Sequence, residues 1–239
     1  MHKISVFGSA DEMAKVFATE ILQKVSEAKN ASKPFHLMLS GGSTPEILYK
    51  ELLKSTPDEF SWTHVEFYWG DERCVPYADS ESNSGQARRH WLNHIQVTDN
   101  QIHPLYTEIP VGQELEFQES VLKGVEMFDL VILGMGDDGH FASVFPDRPD
   151  LFASKKLCET AFHPVTNQQR ITVTPYLLEN RAKTIVIMTT GLKKAVILEK
   201  VFNEIIDYTE FLPVATLLKS CENIVFYLDE QAASSLKVH

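Results

Sequence analysis

The feature that most constrains this chain of 239 residues is a series of seven short apolar segments. Most of them lack an alternation of polar and apolar residues, which is typical of strands covered on both faces by helices. The segments are KISVF (3–7), FHLML (35–39), VEFYW (65–69), DLVIL (129–133), RITVT (170–174), TIVIM (184–188) and NIVFYL (223–228). They predict the buried strands of an α/β sheet.

Stretches with helical spacing lie between these segments and complete an alternation of strand and helix. In residues 10–28, five apolar residues fall on one helical face: Met13, Val16, Phe17, Ile21 and Val25. Such an alternation predicts a doubly wound α/β fold. Because no linker rich in Pro, Ser or Gly divides the chain, we expect one domain over residues 1–239.

Two further helices are expected beside glycine-containing turns. In TPEILYKELL (44–53), Ser43 or Thr44 can serve as the N-cap, and Glu46 completes a capping box if the cap is Ser43. In residues 190–205, one side of the expected helix carries apolar residues, namely Leu192, Val196, Ile197 and Val201.

Composition and charge argue against several classes of function. The formal net charge of −11 repels a nucleic-acid duplex, and no run of Lys and Arg compensates locally. The apolar runs are shorter than a membrane span, and the N-terminal stretch lacks the apolar region of a secretory signal. The distant cysteines Cys74, Cys158 and Cys221 are more typical of reduced thiols than of a disulfide scaffold or a zinc site. We therefore expect a cytoplasmic protein that binds neither nucleic acid nor a membrane.

The segment LSGGSTPE (39–46) is a candidate phosphate cradle. Its glycines let the backbone approach a ligand closely, and the free N–H groups at a helix start favour an anion. The hydroxyls of Ser40, Ser43 and Thr44 add further donors. A plain strand-to-helix turn with a good cap explains these residues equally well.

The segment WGDERCVP (69–76) places Asp71, Glu72 and Arg73 directly after an apolar strand. In open α/β sheets the ligand crevice lies outside the carboxyl ends of the strands, so charges at that position face the ligand. A solvated acidic loop is the simpler interpretation of this segment taken alone. Further along, SESNSGQARRHWL (80–92) predicts a turn at Asn83 and Gly85, followed by a surface helix.

The segment FDLVILGMGDDGHFASVFP (128–146) runs from an apolar strand into a glycine-rich loop that ends at His140. The loop residues before this histidine include Gly134, Gly136, Asp137, Asp138 and Gly139. Histidine titrates near neutral pH, so at a strand end that opens into the crevice it can act as a general base. A lone histidine is more often structural, but the glycines and the strand-end position favour a functional one.

Arg170 and Lys194 are candidate ligands of a phosphate. Both lie at the ends of expected elements, and arginine offers bidentate geometry to a phosphate. Lys193 and Lys194 fall in the first turn of a helix, where cations oppose the helix dipole, so another contact must explain their position. Taken singly, each cation is more simply an exposed, solvated side chain.

Five motifs, in order along the chain, resemble the motif series of the 6-phosphogluconolactonases, within a wider sugar-phosphate family that includes glucosamine-6-phosphate deaminase. The motifs are LSGGSTP, GDERCVP with SESN after it, LGMGDDGHFASVFP, RITVTPYLL and TTGLKKAVIL. The resemblance extends from about Ser5 to Ala233. It implies a Rossmann-like α/β/α sandwich with a mostly parallel central sheet.

The resemblance also implies an activity, the hydrolysis of 6-phospho-D-glucono-1,5-lactone in the oxidative pentose phosphate pathway, without a cofactor or metal. His140, as the residue that activates water, and Asp71 are the implied catalytic residues. The implied contacts of the small sugar-phosphate substrate are Ser40, Gly41, Gly42, Ser43, Thr44, Arg73, Asp138, Gly139, Arg170 and Lys194. We expect a monomer or a weak homodimer.

The chain departs from the lactonase pattern at Phe141, where threonine is usual, and before Arg170, where a proline-rich loop is often found. A deaminase-isomerase is the nearest alternative, but the deaminases carry Phe-Asn-Glu where this chain has Ser-Val-Phe (143–145). A sugar-phosphate sensor is a weaker alternative, because the first strand begins within a few residues of the N-terminus and leaves no room for a helix-turn-helix. A family member without activity also remains open at this point.

Overall fold

The computed structural model describes residues 3–203 and 211–236. The strands are β1 (Lys3–Phe7), β2 (Phe35–Leu39), β3 (Val65–Trp69), β4 (Asp71–Arg73), β5 (Ile102–His103), β6 (Leu130–Gly134), β7 (Cys158–Phe162), β8 (Gln169–Val173), β9 (Ile185–Thr189) and β10 (Ile224–Asp229). The α-helices are α1 (Ala10–Asn30), α2 (Ser43–Ser55), α3 (Asn83–His90), α4 (Val111–Lys123), α5 (Pro175–Arg181), α6 (Ala195–Asn203), α7 (Pro213–Ser220) and α8 (Glu230–Ala233). Short 3₁₀ turns span Leu92–His94, Asp99–Gln101, Pro149–Phe152 and Leu192–Lys194.

Seven parallel strands form the central sheet, in the order β1-β10-β9-β6-β2-β3-β5. Every residue of β9 is buried, and so are the first four residues of β6. Since successive side chains of a strand point to opposite faces, both faces of the sheet are covered. This confirms the predicted α/β/α sandwich with a mostly parallel central sheet. Within the described ranges, no helix is both long and apolar enough to cross a bilayer.

A second, antiparallel sheet of three strands, in the order β4-β8-β7, lies apart from the central one. The apolar segment RITVT therefore belongs to this small sheet. The interpretation of residues 71–73 as a solvated loop is wrong, because they form β4 and Asp71 and Glu72 are only 5% and 1% exposed. Pairing with β8 satisfies the backbone of β4, and four donors satisfy the buried Glu72 carboxylate.

The start of α2 differs from the predicted cap. Gly42 is the N-cap, with a φ of 104°, and no side chain caps the helix. A left-handed backbone angle of this kind favours glycine over serine. The Gly42 N–H donates instead to Gln86 Oε1 at 3.0 Å, so a residue of α3 satisfies it.

Helix α3 begins where a turn was predicted. Asn83 and Gly85 are both in its first turn and buried, and the Ser82 hydroxyl caps the helix by accepting from the Gly85 N–H. The Glu72 carboxylate accepts from the backbone N–H groups of Asn83 and Ser84 at 2.7 Å each. An acidic group at a helix N-terminus stabilises it, and here that group comes from another segment, which local sequence does not show.

Two predicted apolar faces are correct only in part. Val16 is 38% exposed, because at 100° per residue it lies at the edge of the face that buries the other apolar residues of α1. In residues 190–205, a 3₁₀ turn precedes α6, and Leu192 and Val196 are 65% and 63% exposed. The buried face of α6 contains Ile197, Leu198 and Val201. The expected helix end at 204–205 lies outside the described residues.

The strand order positions the site. Strands β2 and β6 are neighbours, with Leu37 paired to Leu130, and the chain continues from β2 toward β3 on one side and from β6 toward β9 on the other. In such sheets a crevice opens outside the carboxyl ends of the strands where the order reverses. The segments that follow β2, β3, β6 and β9 meet there.

Candidate active site

Two adjoining cavities lie at this crevice. The base cavity, of about 190 Å³, is lined by Ser40, Gly41, Gly42, Asp71, Arg73, Asn83, Gly134, Met135, Gly136, His140, Ala142 and Arg170. The lysine cavity, of about 180 Å³, is lined by Gly41, Gly42, Ser43, Thr44, Pro45, Gly134, Met135, Met188, Thr189, Thr190 and Lys194. The residues that both cavities share are Gly41, Gly42, Gly134 and Met135, so the two form one cleft.

His140 is paired with Asp138 on the loop that follows β6. The two side chains approach to 2.5 Å between His140 Nδ1 and Asp138 Oδ1, and the His140 backbone N–H also donates to that oxygen at 3.2 Å. Burial raises the pKa of Asp138, but the hydrogen bond and charge of His140 outweigh it and bring the pKa to about 2. Asp138 is therefore a carboxylate that orients the ring.

The loop itself fixes the geometry of this pair. The Gly136 N–H donates to the His140 carbonyl at 2.9 Å, and the Gly139 N–H donates to the Gly136 carbonyl at 3.1 Å. A Cβ at Gly136 would lie 2.1 Å from two atoms of the His140 ring and 2.7 Å from Asp138 Oδ1. Glycine is needed at this position because the imidazole and the carboxylate occupy the space of a side chain.

Two arginines lie side by side in the base cavity. Arg73 of β4 and Arg170 of β8 are directly opposed in the antiparallel ladder of the small sheet. Like charges opposed across strands destabilise a sheet, and an anionic ligand removes that penalty. Burial lowers the pKa of Arg170, an effect that Asp71 opposes and Arg73 reinforces. The arrangement is suited to binding an anion.

Asp71 holds the floor of the base cavity together. Its carboxylate accepts from Ser143 Oγ at 2.6 Å and from Asn83 Nδ2 at 3.0 Å, and it lies 3.7 Å from Arg170 Nη1. Within the described ranges, no hydrogen bond joins it to His140. The carboxylate beside the imidazole is thus that of Asp138, which sequence reasoning had placed among the substrate contacts.

Asn83 is a site residue that sequence reasoning missed. Its amide also donates to the Asp71 carbonyl at 2.8 Å, and a Cβ at Gly41 would lie 1.7 Å from Asn83 Oδ1. It therefore joins the glycine turn after β2 to the start of β4. Asn83 belongs to SESN, one of the motifs that resemble the family, and this membership could have identified it as a site residue. The sequence was instead interpreted as a turn at this position.

The glycine turn after β2 is held from several sides. The Tyr49 hydroxyl donates to the Ser40 carbonyl, and the Thr44 and Thr190 hydroxyls lie 2.8 Å apart. Ser40 lines the base cavity, whereas Ser43 and Thr44 line the lysine cavity. The predicted cradle therefore contributes to both cavities.

Contacts with the loop after β6 explain why Lys194 lies near a helix start, where a cation opposes the helix dipole. Its Nζ donates to the Met135 carbonyl at 2.8 Å and pairs with Asp137. The residue belongs to a 3₁₀ turn rather than to α6, and it faces the loop after β6. Arg170 and Lys194 line different cavities, with the glycine turn as shared wall.

Asp138 and Gly139 are absent from the walls of both cavities, although they belong to the same loop as His140. A Cβ at Gly139 would lie 3.3 Å from Leu212 Cδ2 and 3.5 Å from Ile197 Cδ1. In the described part of the chain, no group of three or more His, Cys, Asp or Glu side chains could hold a metal ion. The donors that the cleft offers are arginine, lysine, hydroxyl and backbone N–H groups, which suit an anionic organic ligand.

Comparison with known proteins agrees with this geometry. The model of the family described as glucosamine-6-phosphate isomerases/6-phosphogluconolactonase matches residues 8–226. The 6-phosphogluconolactonase of Haemophilus influenzae is 38% identical over 91% of this chain and 94% of its own. The human 6-phosphogluconolactonase is 32% identical over 98% of this chain and 94% of its own.

A solved structure gives the same result. The 6-phosphogluconolactonase from Trypanosoma cruzi is 25% identical, with a TM-score of 0.84 over 100% of this chain and 98% of that chain. The names of these proteins bear out the enzyme class expected from the sequence. By its motifs, its fold and these similarities, the chain belongs to the glucosamine-6-phosphate isomerase/6-phosphogluconolactonase family.

Proposed function

We propose that the protein hydrolyses 6-phospho-D-glucono-1,5-lactone to 6-phosphogluconate in the oxidative pentose phosphate pathway, with His140 as the general base. The observation that carries this proposal is the Asp138–His140 pair at a cavity that also contains two opposed arginines. Such a cavity supplies a base and an anion site together, as hydrolysis of a phosphorylated lactone requires.

The carboxylate partner determines which nitrogen of His140 acts on water. Because Nδ1 is bonded to Asp138, the ring carries its proton there, and Nε2 is left as the basic atom. Nε2 takes a proton from water as the water attacks the lactone carbonyl carbon. Asp138 stabilises the imidazolium that forms, and this imidazolium then donates the proton to the departing ring oxygen.

The phosphate is proposed to bind near the shared wall of the two cavities. The start of α2 at Ser43 and Thr44 lines the lysine cavity, and so does Lys194. Arg170 lines the base cavity on the other side of this wall. An anion at a helix N-terminus is favourable. In a chain of net charge −11, this local group of cations attracts a dianionic substrate, and phosphate binding then orients the reacting carbon.

Arg73 and Asp71 have separate proposed roles. Arg73 lines the base cavity with His140 and would stabilise the oxyanion that develops at the carbonyl. Asp71 acts through the groups it holds, since its carboxylate is bonded to Ser143 and Asn83. Its negative charge also offsets part of the positive charge of the buried Arg170 and the half-buried Arg73.

The direct test is an assay with freshly generated lactone, run beside glucosamine 6-phosphate and a heat-inactivated sample, because the lactone also hydrolyses unaided. We expect hydrolysis of the lactone well above the inactivated sample and no deamination of the amino sugar. Deamination in place of hydrolysis would assign the protein to the other branch of the family.

His140→Ala tests the base. General acid–base catalysis contributes about 10²–10⁴-fold, so kcat should fall by that factor while the folded protein still binds 6-phosphogluconate. The matched control is His163→Ala, because His163 also packs on Phe145 but hydrogen-bonds to the backbone of its own hairpin. Activity of His140→Ala within a few-fold of the wild type would remove His140 from the mechanism.

A further inference from the structure

Ser143 is a fully buried polar residue that lies between Asp71 and Arg170, an acidic and a basic residue of the base cavity. Ser143 is 0% exposed and does not line the base cavity. Its hydroxyl donates to Asp71 Oδ2 at 2.6 Å, and Arg170 Nη1 lies 3.4 Å from the same oxygen atom of Ser143. The hydroxyl therefore lies between a carboxylate and a guanidinium of opposite charge.

With the Ser143 hydroxyl in this position, Asp71 and Arg170 do not form a direct, short hydrogen bond. A direct charge-assisted hydrogen bond between such groups has a length of about 2.7–2.9 Å, whereas Arg170 Nη1 and Asp71 Oδ2 are 3.7 Å apart. A hydroxyl has one hydrogen to donate and lone pairs to accept with. Since Ser143 gives its hydrogen to Asp71, it satisfies the carboxylate and leaves the guanidinium only a long contact.

Arg170 consequently keeps unused capacity for hydrogen bonding. Arginine has five N–H donors, and the partners of Arg170 are the long Ser143 contact and Gln168 Oε1 at 3.1 Å. Among the described residues, its buried Nε has no hydrogen-bond partner. A buried cation with so few partners at the wall of a cavity is suited to take a ligand anion as its main partner.

The backbone fixes the Ser143 hydroxyl in this place. The Ser143 N–H donates to Thr172 Oγ1 at 3.2 Å, and Thr172 is the residue of β8 paired with Asp71. The preceding Ala142 has a φ of 47°, and the Val144 N–H closes a turn onto the Phe141 carbonyl at 2.9 Å. The segment that carries His140 is thereby attached to the sheet that carries the arginines.

We propose that Ser143 is a positioning residue that separates Arg170 from Asp71 and so keeps the guanidinium available to the substrate phosphate. The inference rests on the proposed function for the identity of that substrate. It predicts that loss of the hydroxyl lets Asp71 and Arg170 form a direct ion pair, which competes with the phosphate for the guanidinium.

The test is Ser143→Ala, with Ser143→Thr as the variant that restores the hydroxyl. We expect Ser143→Ala to raise the KM for the lactone about tenfold and to weaken 6-phosphogluconate binding equally in calorimetry, with kcat within about threefold of the wild type. Ser143→Thr should return both constants to within about threefold. If Ser143→Ala does not fold, Ser143→Cys, which is similar in size but a weak donor, should show the same rise in KM.

The control is Thr174→Ala, which removes a buried hydroxyl that caps α5 and bonds the Lys156 carbonyl. It should leave the KM unchanged despite a similar loss of stability. A KM for Ser143→Ala within threefold of the wild type, an equal loss in kcat, or a Thr variant as impaired as the Ala variant would each overturn the role. A wild type without lactonase activity refutes the proposed function instead, and the effect of Ser143→Ala on binding of inorganic phosphate then decides the positioning role.

Discussion

The two sides of the cleft are built in different ways. On the base side, Asp138 and His140 are close neighbours in sequence, and one loop sets their 2.5 Å contact. On the anion side, Arg73 and Arg170 come from distant segments that only the ladder between β4 and β8 brings together. The base side therefore depends on local chain geometry, and the anion side depends on the assembled sheet.

The two sides also differ in burial. The Asp138 side chain is 44% exposed, whereas those of Asp71 and Arg170 are 6% and 10% exposed. Removing one member of a buried charged pair leaves the other uncompensated, which is costly, while an exposed pair contributes little to stability. Substitutions on the base side should change the chemistry, and those on the anion side should change binding and stability.

The largest expected effect is on the base side. Asp138→Asn keeps the shape of the side chain but removes the charge that fixes the His140 tautomer, so kcat should fall about 10²–10⁴-fold with little change in KM. The control is Asp137→Asn, one position away, where the carboxylate pairs with Lys194 instead. Steady-state kinetics of both variants check this. Equal kcat values for the two variants would show that the carboxylate of Asp138 has no special role beside His140.

A smaller effect is expected on the anion side. Arg170→Ala should raise the KM about 10–100-fold and lower the thermal midpoint, because the buried Asp71 loses its neighbouring cation. Lys194→Ala should raise the KM only several-fold, since Lys194 is already tied to Asp137 and the Met135 carbonyl. Steady-state kinetics give the KM of each variant, calorimetry gives the binding of 6-phosphogluconate, and thermal unfolding gives the midpoint. A larger rise in KM for Lys194→Ala than for Arg170→Ala would place the phosphate mainly in the lysine cavity. A normal KM in both variants would exclude both residues from the phosphate site.

The smallest expected effect is on stability against pH. The pKa of Asp138, about 2 in the folded chain, lies below the roughly 3.9 of an unfolded aspartate. Folding thus favours the charged form, so this stabilisation is present above about pH 4 and is lost as the pH falls through 2. Solvent screening keeps it within about 1 kcal/mol. Urea unfolding should show Asp138→Asn less stable than the wild type at pH 6, with a smaller gap at pH 3.

Much of the central sheet was predictable because its signal is local. Strands such as β2 and β9 are continuous apolar runs, and burial on both faces leaves them no other pattern. The short strand β4 was not predictable, since its three residues are all charged and become a strand only through pairing with β8. The apolar sequence of β8 likewise gives no sign that it belongs to a different sheet.

The site shows the same division. His140 was identified from its position after a strand and among glycines, which are properties of one segment. Asn83 was interpreted as part of a turn because its partners, the Asp71 carboxylate and the space above Gly41, come from other segments. Ser143 was passed over for the same reason, since a serine among apolar residues acquires its meaning from Asp71 and Arg170.

By itself, the sequence determined the alternation of strands and helices, the family, and the local chemistry of the loop that ends at His140. Only the tertiary structure decided that Asp138 rather than Asp71 lies beside the imidazole, and that Arg73 and Arg170 stand side by side. The physical reason is the range of the interactions. Hydrophobic periodicity and loop geometry act between near neighbours in the chain, whereas ion pairs and buried hydrogen bonds join whichever groups the packed sheets bring together.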